Sequence, residues 1–533
     1  MAEAKKQSFF GGAAVLAAGV IVVKIIGAIY KIPLNNILGP EGAADFYNAY
    51  NIYAALLTVS TTGLPVALSK MVSEANTFGR ENQARRIFRV SAATFLTLGV
   101  LSFCVMWFGN DWCARLLTNP RAAFGIRMLA PAVVCVGGLS AFRGYAQGNF
   151  RMTPTSVSQI IEAACKLVVG LALARYLLRA GRDVSVAAGG AIAGVTVGTV
   201  LALSYMAADH LRHRVRSAAQ DIPDEPGVIL RRLVAIAVPI TLSSSMVSIF
   251  TLLDTSLVQG QLQNALGYSV DEMRYLYGTY SSGMNLYNLP SSMMTALTIS
   301  VIPAISSALT RRDRAGTARL VGSSLRVTGL LAFPMGLGLW ALAEPIFALL
   351  YPRYDAVLGG QLLAVLGLAS IFVCLMLIAN SILQAHGHVR MPVLTMFVGG
   401  VIKVVTNYNL TAVPRINIHA APIGTLTCFA VVAVLNLILV YRTAEEKPNY
   451  FALFTKPLLA SLLMALCARG SYALLAARLS RGGTMGRLLC VGAPVALAVA
   501  VYAALVVALR IITKDDLALL PKGQRLARLL RVK

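Results

Sequence analysis

The 533-residue chain is 57% hydrophobic and 13% charged, with a formal net charge of +25 and a mean hydropathy of +0.70. An average soluble chain has roughly 45–50% apolar and about 25% charged residues. Apolar runs of about 20 residues recur along the whole chain, which excludes a soluble enzyme and points to a polytopic helical membrane protein; the alternating segments of a β-barrel are absent. The basic residues fall between the apolar runs, where positive-inside asymmetry and anionic lipid account for them, so the charge does not indicate nucleic acid.

In chain order the hydropathy pattern predicts about 14 transmembrane helices, over residues 9–30, 47–70, 87–109, 124–146, 156–178, 186–208, 229–257, 275–305, 322–349, 357–383, 389–411, 418–441, 451–475 and 486–511. MAEAKKQSFF at the start reads as the flank of an uncleaved first span, since no small-x-small cleavage site follows. Lys and Arg concentrate in the loops 70–89, 209–232 and 311–319 and in the tail 510–533, which puts both termini in the cytoplasm. The eight cysteines lie mostly inside apolar runs with no CxxC spacing and read as small buried hydrophobes. His386 and His388, beside Arg390, are a weak metal signal, and no metal is expected. No GxxxxGK[ST] sequence occurs, so direct ATP hydrolysis is not expected.

A repeat organises the chain. RGYAQGNFRMTPTSVSQIIEAACKLV at 143–168 returns in degenerate form as NSILQAHGHVRMPVLTMFVGGVIKVV at 380–405, pairing Gln147 with Gln384, Pro154 with Pro392 and Lys166 with Lys403 at an offset of roughly 237 residues. GLPVALSKM around Pro65 and VIPAISSAL around Pro303 repeat at nearly the same offset. The expected organisation is a six-helix lobe at 1–215, a polar linker at 216–228, a second six-helix lobe at 229–450, two extra helices at 451–511 and a basic tail at 512–533. Internal repeats and spans interrupted by proline, as at Pro239, Pro290 and Pro334, are features of transporters that work by alternating access.

Charges inside apolar spans cost about 2.5–3.5 kcal/mol each at the bilayer centre and are functional hypotheses by default. Lys24 is the clearest; Lys31 also reads as a lysine snorkelling to the interface. Glu162 and Lys166, four residues apart, share a helical face and are expected to neutralise each other, as a structural ion pair or as part of a site. Lys403 has no acidic residue one turn away, which makes it the better candidate for a cation in a cavity. Asp254 reads either as a proton or coupling-ion ligand or as an interfacial residue.

ILGPEGAADFYNAYNIY, RGYAQG followed by MTPTSVSQIIE, NLPSSMMTALTISVIPAIS and the six-plus-six-plus-two span pattern resemble the multidrug/oligosaccharidyl-lipid/polysaccharide (MOP, MATE-like) exporter superfamily. Within it the chain is most similar to the SpoVB-type polysaccharide biosynthesis proteins, near the MurJ-type lipid II flippases. The resemblance implies two lobes in a V-shaped arrangement and movement of an undecaprenyl-linked peptidoglycan or polysaccharide precursor between leaflets of a bacterial cytoplasmic membrane. It implies a cationic headgroup cavity with Lys24 at one of its positions, an acidic residue at Asp45, and a lipid-tail groove formed by the last two helices. At three further basic positions of the family this chain has Tyr30, Thr58 and Asn285, so Lys403, Lys166 or Arg143 is expected to supply the missing charge, or the substrate differs from lipid II.

The expected partners are therefore a polyprenyl-diphosphate-linked glycan, membrane lipids and cell-wall synthesis proteins. No cofactor is expected, and membrane potential, H+ or Na+ are the candidate energy sources. The alternatives are an H+- or Na+-coupled multidrug antiporter of the same superfamily and a membrane scaffold for cell-wall or spore-cortex synthesis. A membrane enzyme finds no convergent acidic or histidine cluster to support it.

Overall fold

The structure, a computed structural model, describes residues 9–61, 63–213, 220–479 and 483–511. The basic tail and residues 216–219 of the expected linker lie outside the described residues. Among the described residues there is no β-strand.

The chain forms two compact units, Met1–Gly278 and Thr279–Lys533. The first holds α1 (Phe9–Thr61), α2 (Gly63–Thr77), α3 (Glu81–Phe108), α4 (Asn110–Leu116), α5 (Ala123–Gly148), α6 (Thr153–Cys165), α7 (Leu171–Arg179), α8 (Val184–Arg212), α9 (Pro226–Asn264) and the start of α10 (Val270–Thr310). The second holds the rest of α10, then α11 (Arg314–Ala341), α12 (Ala343–Leu350), α13 (Ala356–Ala385), α14 (Met391–Thr411), α15 (Ala420–Thr443), α16 (Tyr450–Leu479) and α17 (Gly483–Ala508).

Among the described residues, eleven helical stretches are long and apolar enough to cross a membrane, against the 14 spans expected. The first, Ala18–Thr77, runs through two of the expected spans without a loop. Its bend is at Gly39, where φ is 72° and ψ −177°. A side chain there would be strained, and Pro40 next to it has no N–H to continue the helical ladder. At 39 and 41 residues, α9 and α10 are long enough to cross but stand outside the eleven; α10 carries the polar run YGTYSSGMNLYN.

In the first unit, Phe46 and Tyr53 of α1 pack with Ile126, Leu129 and Val133 of α5 and Ile192 of α8. A second cluster joins Leu68 and Met71 of α2, Ile87 and Phe95 of α3, and Leu233 of α9. In sequence α9 opens the second repeat, yet it packs against α1, α2 and α3 within the first unit.

Much of the α1–α9 seam is polar. Asn48 and Gln259 exchange a pair of amide hydrogen bonds at 2.9 and 2.8 Å. Asn51 Nδ2 donates to Thr255 Oγ1 at 3.2 Å, and the Thr58 and Ser248 hydroxyls meet at 3.0 Å.

In the second unit, Leu325 of α11 packs with Met294 and Val301 of α10 and with Cys374, Ile378 and Ile382 of α13. The last two helices attach to α11: Leu330 clusters with Ala460 and Val506, and Tyr502 Oη donates to the Leu330 carbonyl at 2.8 Å.

The end of the linker is fixed to the first unit. Arg80, which precedes α3, makes no side-chain cap. Asp221 takes that role from a distance, accepting the N–H groups of Asn82 and Gln83 at 3.0 and 2.8 Å. Asp224 binds Arg80 Nη2 at 3.0 Å and Gln83 Nε2 at 2.7 Å.

Desolvation pushes the Asp221 carboxyl up, but the N–H groups of Asn82, Gln83 and its own backbone, with the Arg80 guanidinium, hold it below the ordinary aspartate value. A depressed carboxyl stabilises the attachment above its unfolded-state pKa and loses that contribution as pH falls through the folded value. Limited proteolysis across residues 220–225 is therefore expected to stay slow through neutral and mildly acidic pH and to accelerate below the ordinary aspartate range. Asp221→Asn should show the fast rate already at neutral pH. A rate in the wild type that is flat with pH would contradict the capping role.

Candidate functional site

The first unit gathers most of the intramembrane charges noted in the sequence. Lys24 and Lys31 are seven residues apart on α1, two helical turns, and so share one face about 10 Å apart along the axis. Both are partly buried. Gly27 lies between them on the same face, and a Cβ added there would meet no atom of another element within 4 Å among the described residues.

Lys166 reaches α1 from a neighbouring segment. Its ammonium lies 4.5 Å from the ring centroid of Tyr50 and 5.1 Å from that of Tyr30, a two-ring cation–π cradle. Tyr30 is 1% exposed, and its hydroxyl has no hydrogen-bond partner among the described residues. Phe46 stacks on Tyr50 at 6.0 Å and holds that side of the cradle. Lys31 follows Tyr30 directly in the chain.

The expected Glu162–Lys166 pair is replaced by another. Glu162 Oε2 binds Arg143 Nη2 at 3.1 Å, while Arg143 Nε donates to Ser158 Oγ at 2.9 Å. Lys166 keeps the α-helical register of Glu162, its N–H bonding back to the Glu162 carbonyl, but Arg143 of α5 offers Glu162 a rigid fork; a π-helical turn, Lys166–Gly170, follows. A π turn inside an α-helix is a frequent mark of a functional segment. This one is held where the backbones of Gly170 and Gly194 touch; a Cβ on Gly194 would fall 2.4 Å from the Gly170 nitrogen.

Asp45 sits in a closed buried network. Its Oδ1 accepts from Arg274 Nε at 3.0 Å and Asn119 Nδ2 at 2.9 Å; its Oδ2 accepts from Arg274 Nη2 at 2.6 Å and Ser185 Oγ at 2.7 Å. Asp45 is 2% and Arg274 5% exposed. The sequence reading missed Arg274: it stands one residue before an expected span, where a basic residue reads as an interfacial flank, and its partner is 229 positions away. Tyr50 was missed because a tyrosine in an aromatic-rich helix carries no signal of a cation partner.

Thr58 bonds to the Ala54 carbonyl and meets Ser248 within the α1–α9 seam. Asp254 is buried on α9 next to Thr255, whose hydroxyl meets Tyr277 Oη at 2.9 Å. In the second unit, Asn285 is buried on α10 and Lys403 is partly buried on α14.

The profile of the family described as "Polysaccharide biosynthesis protein" matches residues 9–309. The chain belongs to the polysaccharide biosynthesis protein family. A second profile, MatE, matches residues 239–409 of this polysaccharide biosynthesis protein. Three relatives come from Bacillus subtilis (strain 168). The uncharacterized membrane protein YabM is 26% identical over 81% of this chain and 80% of its own length. Lipid II flippase MurJ is 23% identical over 75% and 76%, and stage V sporulation protein B is 22% identical over 81% and 83%.

Among solved structures, an inward-facing multidrug-resistance MATE transporter of the MOP superfamily matches with a TM-score of 0.66, at 14% identity over 83% of this chain and 99% of its own. Lipid II flippase MurJ in an inward closed conformation matches with a TM-score of 0.66, at 14% identity over 92% and 98%. The polysaccharide biosynthesis protein thus has the all-helical MOP fold and is a multi-pass membrane protein.

Proposed function

We propose that this protein is a flippase that moves a polyprenyl-diphosphate-linked peptidoglycan or polysaccharide precursor across the bacterial cytoplasmic membrane by alternating access, with both termini cytoplasmic. The observation that carries this reading is the cationic character of the first unit, where Lys24 and Lys31 share a face of α1 and Lys166 lies against Tyr30 and Tyr50 of the same helix. Each such charge is costly inside a membrane unless an anion arrives to meet it.

A diphosphate headgroup cannot cross about 30 Å of hydrocarbon unaided, and lysines on its route lower the cost. The polyprenyl tail needs only lipid or an apolar wall, which the exposed leucines of α16, such as Leu459, Leu463 and Leu466, can supply. Export of an anionic headgroup is helped by the membrane potential at about 2.3 kcal/mol per charge per 100 mV.

The test is complementation of a bacterium depleted of its lipid II flippase, at matched membrane levels of each variant. Wild type is expected to restore growth, and Lys24→Ala is expected to lose rescue while still inserting. No rescue by a correctly inserted wild type would remove lipid II from the substrates and leave other polyprenyl-linked glycans.

The second reading is a cation-coupled drug antiporter, favoured by the MatE match and by the buried carboxylate of Asp254. It predicts drug efflux that Asp254→Asn abolishes and Lys24→Ala spares.

A further inference from the structure

The second unit encloses a cavity of about 300 Å³ at the end where α10 gives way to α11. This is the lower end of the range for small-molecule sites, roughly 300–1,000 Å³. Its walls come from the close of α10, the start of α11, His386 after α13 and residues 444–446 after α15. Val321 and Ala444 give it an apolar side, and both are buried.

Charged groups form much of the remaining lining. Arg314 Nε binds Glu445 Oε2 at 2.6 Å, and Asp313 Oδ1 accepts the Gly316 N–H at 2.8 Å as the cap of α11. Arg312 and Glu446 also line the cavity, yet among the described residues neither side chain has a hydrogen-bonding or ionic partner. The Ile382 carbonyl accepts from His386 Nδ1 at 2.8 Å, so in the neutral ring Nε2 keeps a lone pair to offer. Two arginines against three carboxylates leave the lining with one negative charge in excess.

Arg312 stands where the backbone favours glycine. Its φ is 56°, in the left-handed region, at the turn after α10 where the Asp313 N–H bonds back to the Ala308 carbonyl. After α2, α7 and α13 the same closure falls on Gly79, Gly181 and Gly387. A side chain held there at a conformational cost is a pointer to function.

From this geometry we infer that the cavity binds a small diamino carboxylic acid of the lysine type. Such a molecule carries one net positive charge, which matches the excess, and it carries both signs, as Arg312 and Glu446 require. Arg312 takes its carboxylate, Glu446 and His386 Nε2 take its two ammonium groups, and its aliphatic stem lies along Val321 and Ala444. A plain anion would face Glu446, and a plain amine would face Arg312. The site lies wholly in the second unit and does not rest on the flippase reading.

The test is calorimetric titration of the full-length protein in detergent with L-lysine, with thermal unfolding of the same samples. L-Lysine is expected to bind the wild type. Norleucine, which lacks the side-chain amine, and cadaverine, which lacks the carboxylate, should bind about tenfold more weakly or worse. Arg312→Gly is expected to weaken lysine binding about tenfold or more while leaving the unliganded midpoint unchanged or higher, because glycine adopts the left-handed φ freely. Glu446→Gln should weaken binding by a similar factor. Arg319→Gln, on α11 but outside the cavity, removes a nearby charge and should bind as wild type.

Absence of L-lysine binding by the wild type would overturn the site, as would equal binding by Arg312→Gly. Norleucine or cadaverine binding as tightly as L-lysine would overturn the diamino acid assignment. An equal loss in Arg319→Gln would reduce the effect to the general charge of the loop and overturn the site as well. Complementation reads the flippase proposal and lysine titration reads this one, so either can fail alone.

Discussion

Asp45→Ala is expected to destabilise the protein by about 3–5 kcal/mol, measured by denaturant or thermal unfolding in detergent. The carboxylate holds four donors, and the guanidinium it faces is buried with it. Removing Asp45 strands Arg274 with Asp271, whose side chain is 70% exposed and a much weaker partner. It also leaves Ser185 and Asn119 without their acceptor.

The cost comes from the abandoned charge more than from the lost attraction. The paired substitution Asp45→Leu with Arg274→Met should therefore recover most of the loss, because well-packed apolar residues replace buried ion pairs at little cost. A loss below about 1 kcal/mol for Asp45→Ala would mean that water reaches the network, and the account of a closed buried pair would fail.

Gly278→Ala should cost about 3 kcal/mol, at the upper end of what overpacking does. Its Cβ would fall 1.8 Å from the Pro40 carbonyl oxygen and 2.6 Å from the carbonyl carbon, backbone atoms that cannot turn aside like a side-chain tip. Pro40 cannot easily retreat either, since its ring fixes φ and it follows the bend at Gly39. The matched control is Gly322→Ala on α11, where a Cβ meets nothing and the change should be neutral or stabilising by about 0.5–1 kcal/mol. Equal midpoints for the two variants would show that the start of α10 shifts freely against Pro40. Asp45 and Gly278 secure the same corner of the first unit, so their variants are expected to combine non-additively.

Helices were legible in the sequence because a membrane segment must be both apolar and internally hydrogen-bonded, and both properties are local. What hydropathy cannot register is a bend in place of a loop: residues 31–46 looked like a connection because Lys31, Asn35, Asn36 and Glu41 are polar, yet the chain stays helical on both sides of Gly39. The candidate site divided along similar lines. Lys24, Lys31 and Lys166 stood out because a charge in an apolar run is anomalous by itself. Their arrangement did not, because Glu162 is paired by Arg143 from another helix and the tyrosine cradle brings together positions 30, 50 and 166. Arg274 was hidden by distance along the chain.

The seam between α1 and α9 is joined in large part by amides and hydroxyls. A greasy contact, once parted, leaves hydrocarbon facing water, and the penalty grows with every square ångström uncovered. Asn48, Gln259, Asn51, Thr255, Thr58 and Ser248 incur no such penalty, since water replaces each partner and the net loss is about 0.5–1.5 kcal/mol per bond. Such a joint behaves like a row of press-studs: it opens in small, nearly equal steps, closes in the same register, and is adjusted one stud at a time by exchanging a threonine for a valine of the same shape.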